Sequence, residues 1–174
     1  MQLKPEVSDQ DHVQGRADAE VTLVEYGDYE CPHCGRAHPV VKRLQKHFGD
    51  SLRFVFRNFP LTEIHPLAEP AAESAEFAAT KDKFWEMHDG IFEHQYQLSR
   101  EFLLSLAQKN GIEAEVLMEA LEKGTFRERV KKDFMSGVRS GVNGTPTFFI
   151  NGRRHDAAPD YESLVDSIEA ARRG

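Results

Sequence analysis

Short apolar runs and a longer helical stripe alternate along the first third of the chain. Val21–Tyr26 is rich in β-branched and aromatic side chains, the pattern of a strand that is buried on both faces. A stripe with helical spacing follows the turn at residues 27–30 and ends at Gly49. Leu52–Phe56 then predicts a second strand. The order strand, helix, strand predicts a βαβ unit with the usual right-handed connection.

The middle of the chain, from about Pro66 to Ser140, shows only helical spacing. Thr80, Ser99 and the capping box formed by Thr125 and Glu128 each precede a stripe of apolar residues, so each is a predicted helix start. No strand pattern interrupts these stripes. The segment is therefore predicted to be a helical insertion.

Strand signals return near the end of the chain. Thr147–Ile150 predicts a strand, Asn151-Gly152 a tight hairpin turn, and Arg153-Arg154 the start of the returning strand. A last helix is predicted from about Asp160. The apolar side chains that it turns inward are Leu164, Val165 and Ile168.

Length and patterning together predict one α/β core with a helical subdomain. The chain has 174 residues, of which 40% are hydrophobic, enough to bury one core of ordinary size. Residues 1–62 and 141–174 form the two halves of the α/β domain, and residues 63–140 form the helical subdomain inserted between them.

Charge and hydropathy restrict the partners and the location. A formal charge of −7 argues against nucleic acid as a partner, because phosphate contacts need clustered Lys and Arg. No apolar run approaches the roughly 20 residues of a membrane span. Met1–Glu20 lacks the apolar stretch of a secretory signal. We expect a cytoplasmic protein, and a periplasmic one only if an upstream segment is missing.

Both cysteines of the chain lie in the four residues Cys31-Pro32-His33-Cys34. Cys31 falls at the predicted N-cap of a helix and Pro32 at its first position, where no amide donor is lost. A disulfide that closes so short a loop would stabilise the fold by only roughly 2 kcal/mol. A buried structural cysteine pair and a zinc site formed by Cys31, His33 and Cys34 are alternatives. Zinc usually takes four ligands, and the sequence has no second pair of Cys or His residues at the spacing found in zinc fingers.

A helix N-terminus activates a cysteine for thiol–disulfide exchange. The free amides and the dipole of the first helical turn favour the Cys31 thiolate, and His33 adds a donor or a positive charge. Cys34 lies one turn further along the same side, where we expect a buried thiol that resolves a mixed disulfide at Cys31.

The order of elements and motifs resembles the DsbA-like branch of the thioredoxin superfamily over nearly the whole chain. The sequence is also similar to the thioredoxin-like domains attached to some sodium/proton antiporters. The segments that carry the resemblance are Asp11–Gly15, Asp18-Ala19, Val24–Cys34, Phe56–Leu61, Phe84–His88 and Gly141–Thr147.

The resemblance implies a thioredoxin fold and a protein thiol–disulfide oxidoreductase, with no organic cofactor and no metal. The expected partners are protein or small-molecule thiols and disulfides, glutathione among them, and the expected state is a monomer or weak dimer. The implied site consists of Cys31 as nucleophile, Cys34 as resolver, Pro32 and His33 tuning the redox potential, Glu25 relaying protons, and a cis-proline loop at Thr145 and Pro146 that binds substrate backbone. A strand-end Glu25 in water or paired with a lysine is the alternative.

Other residues invite functional interpretations that we do not adopt. Tyr26, Asp28 and Glu30 are predicted to be surface and loop residues without a catalytic role. Four histidines have no shared ligand spacing in the sequence, and we predict that they are solvated or packed in the core. They are His38, His65, His88 and His94.

Two other functions stay open. In the first, the chain is a chaperone-like module that binds polypeptides and whose disulfide is not essential; in the second, it is a metal-handling protein. The stripe that would line a polypeptide groove is more simply core packing, and its members are Phe84, Trp85, Ile91 and Phe92.

Overall fold

The computed structural model describes residues 1–174 and has a central sheet of five strands. The strands are β1 (His12–Gln14), β2 (Val21–Gly27), β3 (Leu52–Asn58), β4 (Thr147–Ile150) and β5 (Arg153–Arg154), in the order β1-β3-β2-β4-β5. β2 and β3 are parallel, and the other pairs are antiparallel. The predicted βαβ unit and C-terminal hairpin are confirmed, and β2 lies at the centre of the sheet.

Seven helices surround the sheet. The helix α1 (Pro32–Phe48) connects β2 to β3, and α7 (Tyr161–Arg173) closes the chain. The five helices between β3 and β4 are α2 (Ala68–Ala79), α3 (Phe84–Glu93), α4 (Arg100–Lys109), α5 (Ala114–Lys123) and α6 (Arg127–Arg139). This is the thioredoxin fold with a helical insertion, as predicted. None of the helices combines the length and the apolar character that a bilayer crossing requires.

Two of the predicted helix starts are wrong. The Thr80 hydroxyl donates to the Phe77 carbonyl and ends α2, while α3 begins only at Phe84. The Thr125 amide donates to the Ala120 carbonyl, because Gly124 adopts a left-handed conformation and turns the chain at the end of α5. Both threonines therefore complete the preceding helix. The predicted start at Ser99 is confirmed, since its side chain accepts from the Phe102 amide.

One core connects the sheet to the inserted helices. A continuous cluster of 33 buried residues includes the face of β2 and β3 that α1 covers, together with the inner faces of α3, α4 and α5. Phe84, Ile91 and Phe92 are buried in it and Trp85 packs against it, which confirms the core interpretation of that stripe. The opposite face of the sheet buries a smaller cluster of seven residues that includes Val24 and Tyr26.

The alternation of side chains along β2 places Glu25 on the same face as Val21 and Leu23, which belong to the larger core cluster. Since α1 covers this face, the carboxyl group of Glu25 lies among apolar side chains beneath the start of α1. The fold thus brings one acid and both thiols to the carboxyl end of β2.

Candidate active site

The first turn of α1 holds both cysteines. Cys31 is the N-cap residue with extended backbone dihedral angles, Pro32 occupies the first helical position, and both sulfurs are free thiols. Cys34 is completely buried, as predicted for a resolving thiol, and Cys31 is only 4% exposed. Only a small part of Cys31 is therefore accessible to solvent.

The surroundings of the Cys31 sulfur favour its thiolate. Hydrogen bonds from the Cys34 thiol, the Thr145 side chain and the backbone amides of Cys34 and His33 outweigh partial burial and lower the pKa of Cys31 to about 5. The carbonyl oxygen of Thr145 lies 3.6 Å from the sulfur, and the Thr145–Pro146 peptide bond is cis. The predicted loop at Thr145 and Pro146 therefore lies against Cys31.

The His33 side chain lies at the surface, and its predicted role in tuning the redox potential stays a prediction. Its imidazole is exposed, and Nδ1 accepts a hydrogen bond of 2.6 Å from the Arg36 guanidinium. The contribution of His33 to the Cys31 thiolate comes from its backbone amide, because helix geometry directs the amides of the first turn toward the N-cap while the side chain extends outward.

Glu25 is buried beneath the cysteine pair. Its residue is only 2% exposed, its Oε1 has no hydrogen-bond partner, and no lysine pairs with it. Burial, and then the negative charge of Cys31, raise the pKa of Glu25 to about 8. Burial also raises the pKa of Cys34 well above its usual value, with Cys31 and Glu25 adding to the effect. The alternative of a solvated or lysine-paired acid is therefore wrong.

Glu25→Gln is expected to change how stability depends on pH. Because the pKa of Glu25 is raised from 4.5 to about 8 in the folded chain, the folded state holds a proton that the unfolded state has lost. The wild-type protein therefore loses free energy of unfolding as the pH rises between these values, by up to about 3 kcal/mol at pH 7.

Urea unfolding of the oxidised proteins between pH 4 and 8 measures this effect, since the disulfide removes thiol titration from the comparison. The stability difference between Glu25→Gln and wild type should grow with pH in favour of the variant. Glu122→Gln, at an exposed position of α5, serves as the control and should show no such trend. Parallel pH curves for wild type and Glu25→Gln would contradict the raised pKa.

Asp28 lies in a loop as predicted, but the prediction that it is a surface residue is wrong. It is 1% exposed, and its Oδ1 accepts from the amides of Glu30 and Cys31 at 2.8 and 3.0 Å. Its Oδ2 accepts from the Leu61 amide and lies 2.8 Å from Nδ1 of His65. The Asp28 amide also donates to the Cys34 sulfur at 3.4 Å. Asp28 thus connects the turn at residues 28–31, which we call the cysteine turn, to the segment after β3.

His65 pairs with the Asp28 carboxylate beside this turn. Burial opposes the charged form, but the Asp28 carboxylate, with help from the Cys31 and Glu30 charges, raises the pKa of His65. Sequence reasoning treated His65 as an isolated histidine, and its partner Asp28 is 37 residues away. Only the packing of two loops brings them together.

Tyr26 and Glu30 also have structural contacts rather than free surface positions. Tyr26 is completely buried, and its hydroxyl group accepts from Arg57 and bonds to Ser136. The Glu30 carboxylate accepts a hydrogen bond of 2.6 Å from the Leu67 amide, just before α2. The surface prediction fails because both side chains find partners far along the chain.

Gln95 is a residue of the site that sequence reasoning missed. Its side-chain amide donates to the carbonyl oxygens of Tyr29 and Cys31, each at 2.9 Å. The contact is close, because a Cβ atom on Gly35 would lie 2.3 Å from the Gln95 side-chain oxygen. Gly35 next to the second cysteine is the only sequence signal of this approach. Gln95 anchors the cysteine turn to the inserted helices.

The four histidines that the sequence analysis predicted to be solvated or packed in the core have different surroundings. His38 and His88 lie together between α1 and α3, with Asp89 beside them. His65 contacts Asp28, and His94 contacts the Gly90 carbonyl. The prediction of core packing is confirmed for His38 and His88, which are both buried, and the packing of α1 on α3 brings their rings together.

Comparison with known proteins agrees with this fold. Residues 7–170 match the thioredoxin family. The structure of BdbD from Bacillus subtilis superposes with a TM-score of 0.86 at 30% sequence identity, covering 95% of this chain and 94% of that one. The thiol-disulfide exchange protein alpha-DsbA2 from Wolbachia pipientis superposes with a TM-score of 0.72 at 20% identity, covering 94% and 88%, and so shares the fold.

Curated relatives are longer proteins that contain a similar segment. The chain is 42% identical over 172 residues to Na(+)/H(+) antiporter NhaA 1 of Salinispora arenicola, covering 99% of this chain and 26% of that protein. It is 41% identical over 175 residues to NhaA of Herminiimonas arsenicoxydans, covering 100% and 28%. The chain therefore spans about a quarter of the length of these relatives. Together with the BdbD match, these findings show that the chain belongs to the thioredoxin family, in its DsbA-like branch.

Proposed function

We propose that the protein is a thiol–disulfide oxidoreductase whose nucleophile is Cys31. The observation that carries this proposal is the difference between the two thiols, since the pKa of Cys31 is lowered to about 5 while that of Cys34 is raised. The thiolate is the species that attacks sulfur, so at neutral pH only Cys31 is ready to react. Cys34 stays protonated until Cys31 has been consumed.

The proposed exchange proceeds in two steps. The Cys31 thiolate attacks one sulfur of a substrate disulfide, forms a mixed disulfide, and releases the other substrate sulfur as a thiolate. Cys34 then loses its proton and attacks the Cys31 sulfur, which forms the Cys31–Cys34 disulfide and releases the second substrate thiolate. The substrate gains two electrons and the cysteine pair loses two; the reverse sequence oxidises a substrate dithiol.

Glu25 is the proposed acceptor for the Cys34 proton. It is buried on the face of β2 that α1 covers, and its charge influences the pKa of Cys34. Burial raises the pKa of Glu25 to about 8, so most Glu25 is protonated at neutral pH and its ionised fraction accepts the Cys34 proton. Loss of the Cys31 negative charge in the mixed disulfide favours that ionised form.

The surface around the cysteine turn supports polypeptides as substrates. Ile64 is 68% exposed and precedes His65, which contacts Asp28 in the cysteine turn. Tyr96 is 82% exposed and follows Gln95, which bonds to the Cys31 carbonyl. Two large exposed apolar side chains therefore lie on segments that contact the cysteine turn, while the Thr145–Pro146 loop offers backbone groups to an extended chain. An unfolded segment with apolar residues near its cysteine fits this surface.

The direction of electron flow follows from the same thiolate. Stabilising it stabilises the reduced protein, which makes the disulfide more oxidising. In a compartment where the glutathione poise is at or below about −220 mV, such a couple is kept mostly reduced and acts as a reductase or isomerase. In a more oxidising compartment it acts as an oxidase.

Alkylation of the reduced protein by iodoacetamide is expected to follow a pKa of about 5 for Cys31, with no reaction at buried Cys34. At pH 7 an ordinary cysteine with a pKa of about 8.5 is only about 3% thiolate, so Cys31 should have about 30-fold more thiolate. Equilibration with glutathione should give a reduction potential above about −270 mV for the Cys31–Cys34 couple.

Cys34→Ala is the informative comparison, because it removes the largest contribution to the lowered pKa and should move the midpoint upward. A wild-type midpoint near 8.5 would contradict the proposed nucleophile. A potential below about −270 mV would contradict the oxidising character alone.

A further inference from the structure

A second polar cluster lies between α1 and α3, among the side chains of His38, His88 and Asp89. One ligand atom from each of the three residues lies within 4.8 Å of the others. His38 Nε2 is 3.8 Å from Asp89 Oδ1 and 3.8 Å from Glu93 Oε1. Two imidazoles from different helices and one carboxylate thus cluster together, and a second carboxylate, that of Glu93, approaches His38.

Two atoms that face this point have no partner. His38 Nε2 and Asp89 Oδ1 are buried and make no hydrogen bond, and the His38 side chain is only 7% exposed. Buried polar atoms in folded proteins nearly always find a partner, and an unmet one destabilises the fold. At 3.8 Å the two atoms are too far apart to satisfy each other, but an ion between them would contact both.

The remaining atoms of two of these side chains are already held. The Tyr29 hydroxyl lies 2.9 Å from His88 Nδ1, which leaves Nε2 of that ring free. Lys42 Nζ donates to Asp89 Oδ2 at 2.8 Å, which leaves Oδ1 free. Outer contacts of this kind orient the ligands of metal sites.

We propose that His38, His88, Asp89 and Glu93 bind a zinc ion. Two imidazole nitrogens and two carboxylate oxygens make a four-coordinate set that zinc accepts. With zinc–ligand distances of about 2.0–2.2 Å, ligand atoms stand about 3.3 Å apart. The two separations from His38 Nε2 are 3.8 Å, those within the trio do not exceed 4.8 Å, and the exposed Glu93 side chain turns inward to complete the set. Glu93 is 57% exposed, so the ion enters from solvent beside it.

A zinc ion at this site would connect α1, which begins at the cysteine pair, to α3 of the helical insertion. His38 follows Cys34 by one helical turn on α1, while the other three ligands lie on α3. The bound ion would therefore hold α1 against α3, and its ligand His88 contacts Tyr29, two residues before Cys31.

Zinc titration by calorimetry on the oxidised, untagged protein tests the proposal, since the Cys31–Cys34 disulfide prevents the thiols from binding zinc. We expect one zinc ion per chain and an unfolding temperature that rises with zinc concentration. Cobalt(II) should give the intense visible absorption of a four-coordinate site. Absence of stoichiometric zinc binding by the oxidised wild type would overturn the proposal.

Three variants and one control locate the ion. His38→Gln, Asp89→Asn and Glu93→Gln should each weaken zinc binding at least 10-fold. His47→Gln removes an exposed histidine from the same helix α1 and should bind zinc as the wild type does. Circular dichroism checks that the variants fold, and the exposed Glu93 position decides the matter if His38→Gln does not fold. Zinc binding that Asp89→Asn and Glu93→Gln leave unchanged would show an adventitious ion only.

Discussion

Cys31→Ser is expected to abolish thiol–disulfide exchange, whereas Cys34→Ser is expected to carry out the first step and then stop. The hydroxyl of serine does not form a disulfide, so without the Cys31 sulfur no mixed disulfide arises. Without Cys34, the mixed disulfide at Cys31 has no internal thiol to resolve it. The fully buried Cys34 sulfur has no access to substrate and cannot replace Cys31.

The measurement uses reduced protein mixed with insulin or glutathione disulfide, quenched with acid and analysed by mass. Cys34→Ser should accumulate a stable adduct, wild type should show the internal disulfide, and Cys31→Ser should show neither. Unchanged insulin reduction by Cys31→Ser would end the oxidoreductase proposal. It would favour a chaperone-like module that binds polypeptides through the exposed Ile64 and Tyr96.

Asp28→Ala is expected to destabilise the protein by about 3–5 kcal/mol, the usual cost of breaking a buried charged pair by removing one partner. The substitution leaves the amides of Glu30 and Leu61 without their acceptor and leaves His65 without its carboxylate. These groups lie in the turn that positions Cys31, so the loss should also loosen the site.

Urea unfolding of reduced protein at pH 7 measures the stability loss. Asp28→Asn should lose less, because its side-chain oxygen still accepts from the amides of Glu30 and Cys31 while its NH2 group faces Leu61 and His65. Asp166→Asn, at an exposed position of α7, is the matched control and should lie within about 0.5 kcal/mol of wild type. A loss of under 1 kcal/mol for Asp28→Ala would refute the role of Asp28 as the anchor of the turn.

Local signals explain why the sequence predicted the sheet core and the cysteine helix. The run at β2, the Asn151-Gly152 turn and the Pro32 start each depend on neighbouring residues alone, and each appears in the structure. The helix α2 escaped prediction because ten of its twelve residues are buried, so it shows no one-sided stripe. The strand β1 has only three residues, too few for a periodic pattern.

Long-range contacts explain the errors at the site. Asp28 appeared to be a loop acid, because its partners Leu61 and His65 lie 33 and 37 residues further along. His38 and His88 have no common spacing, and only the packing of α1 on α3 joins them. Side-chain pairing between distant segments has no signature within a single window of sequence, so the site could be predicted only where the cysteine motif itself carried it.

The outer strands of the sheet bear on how copies of the protein meet. Only three residues at one margin, β1, and two at the other, β5, carry strand geometry, and a bridge between Gln2 and Arg153 covers part of the second. Exposed margins of long strands are where chains add to one another and aggregate. The protein therefore presents few unpaired backbone groups at its sheet edges, and strand pairing between the sheets of two copies is disfavoured.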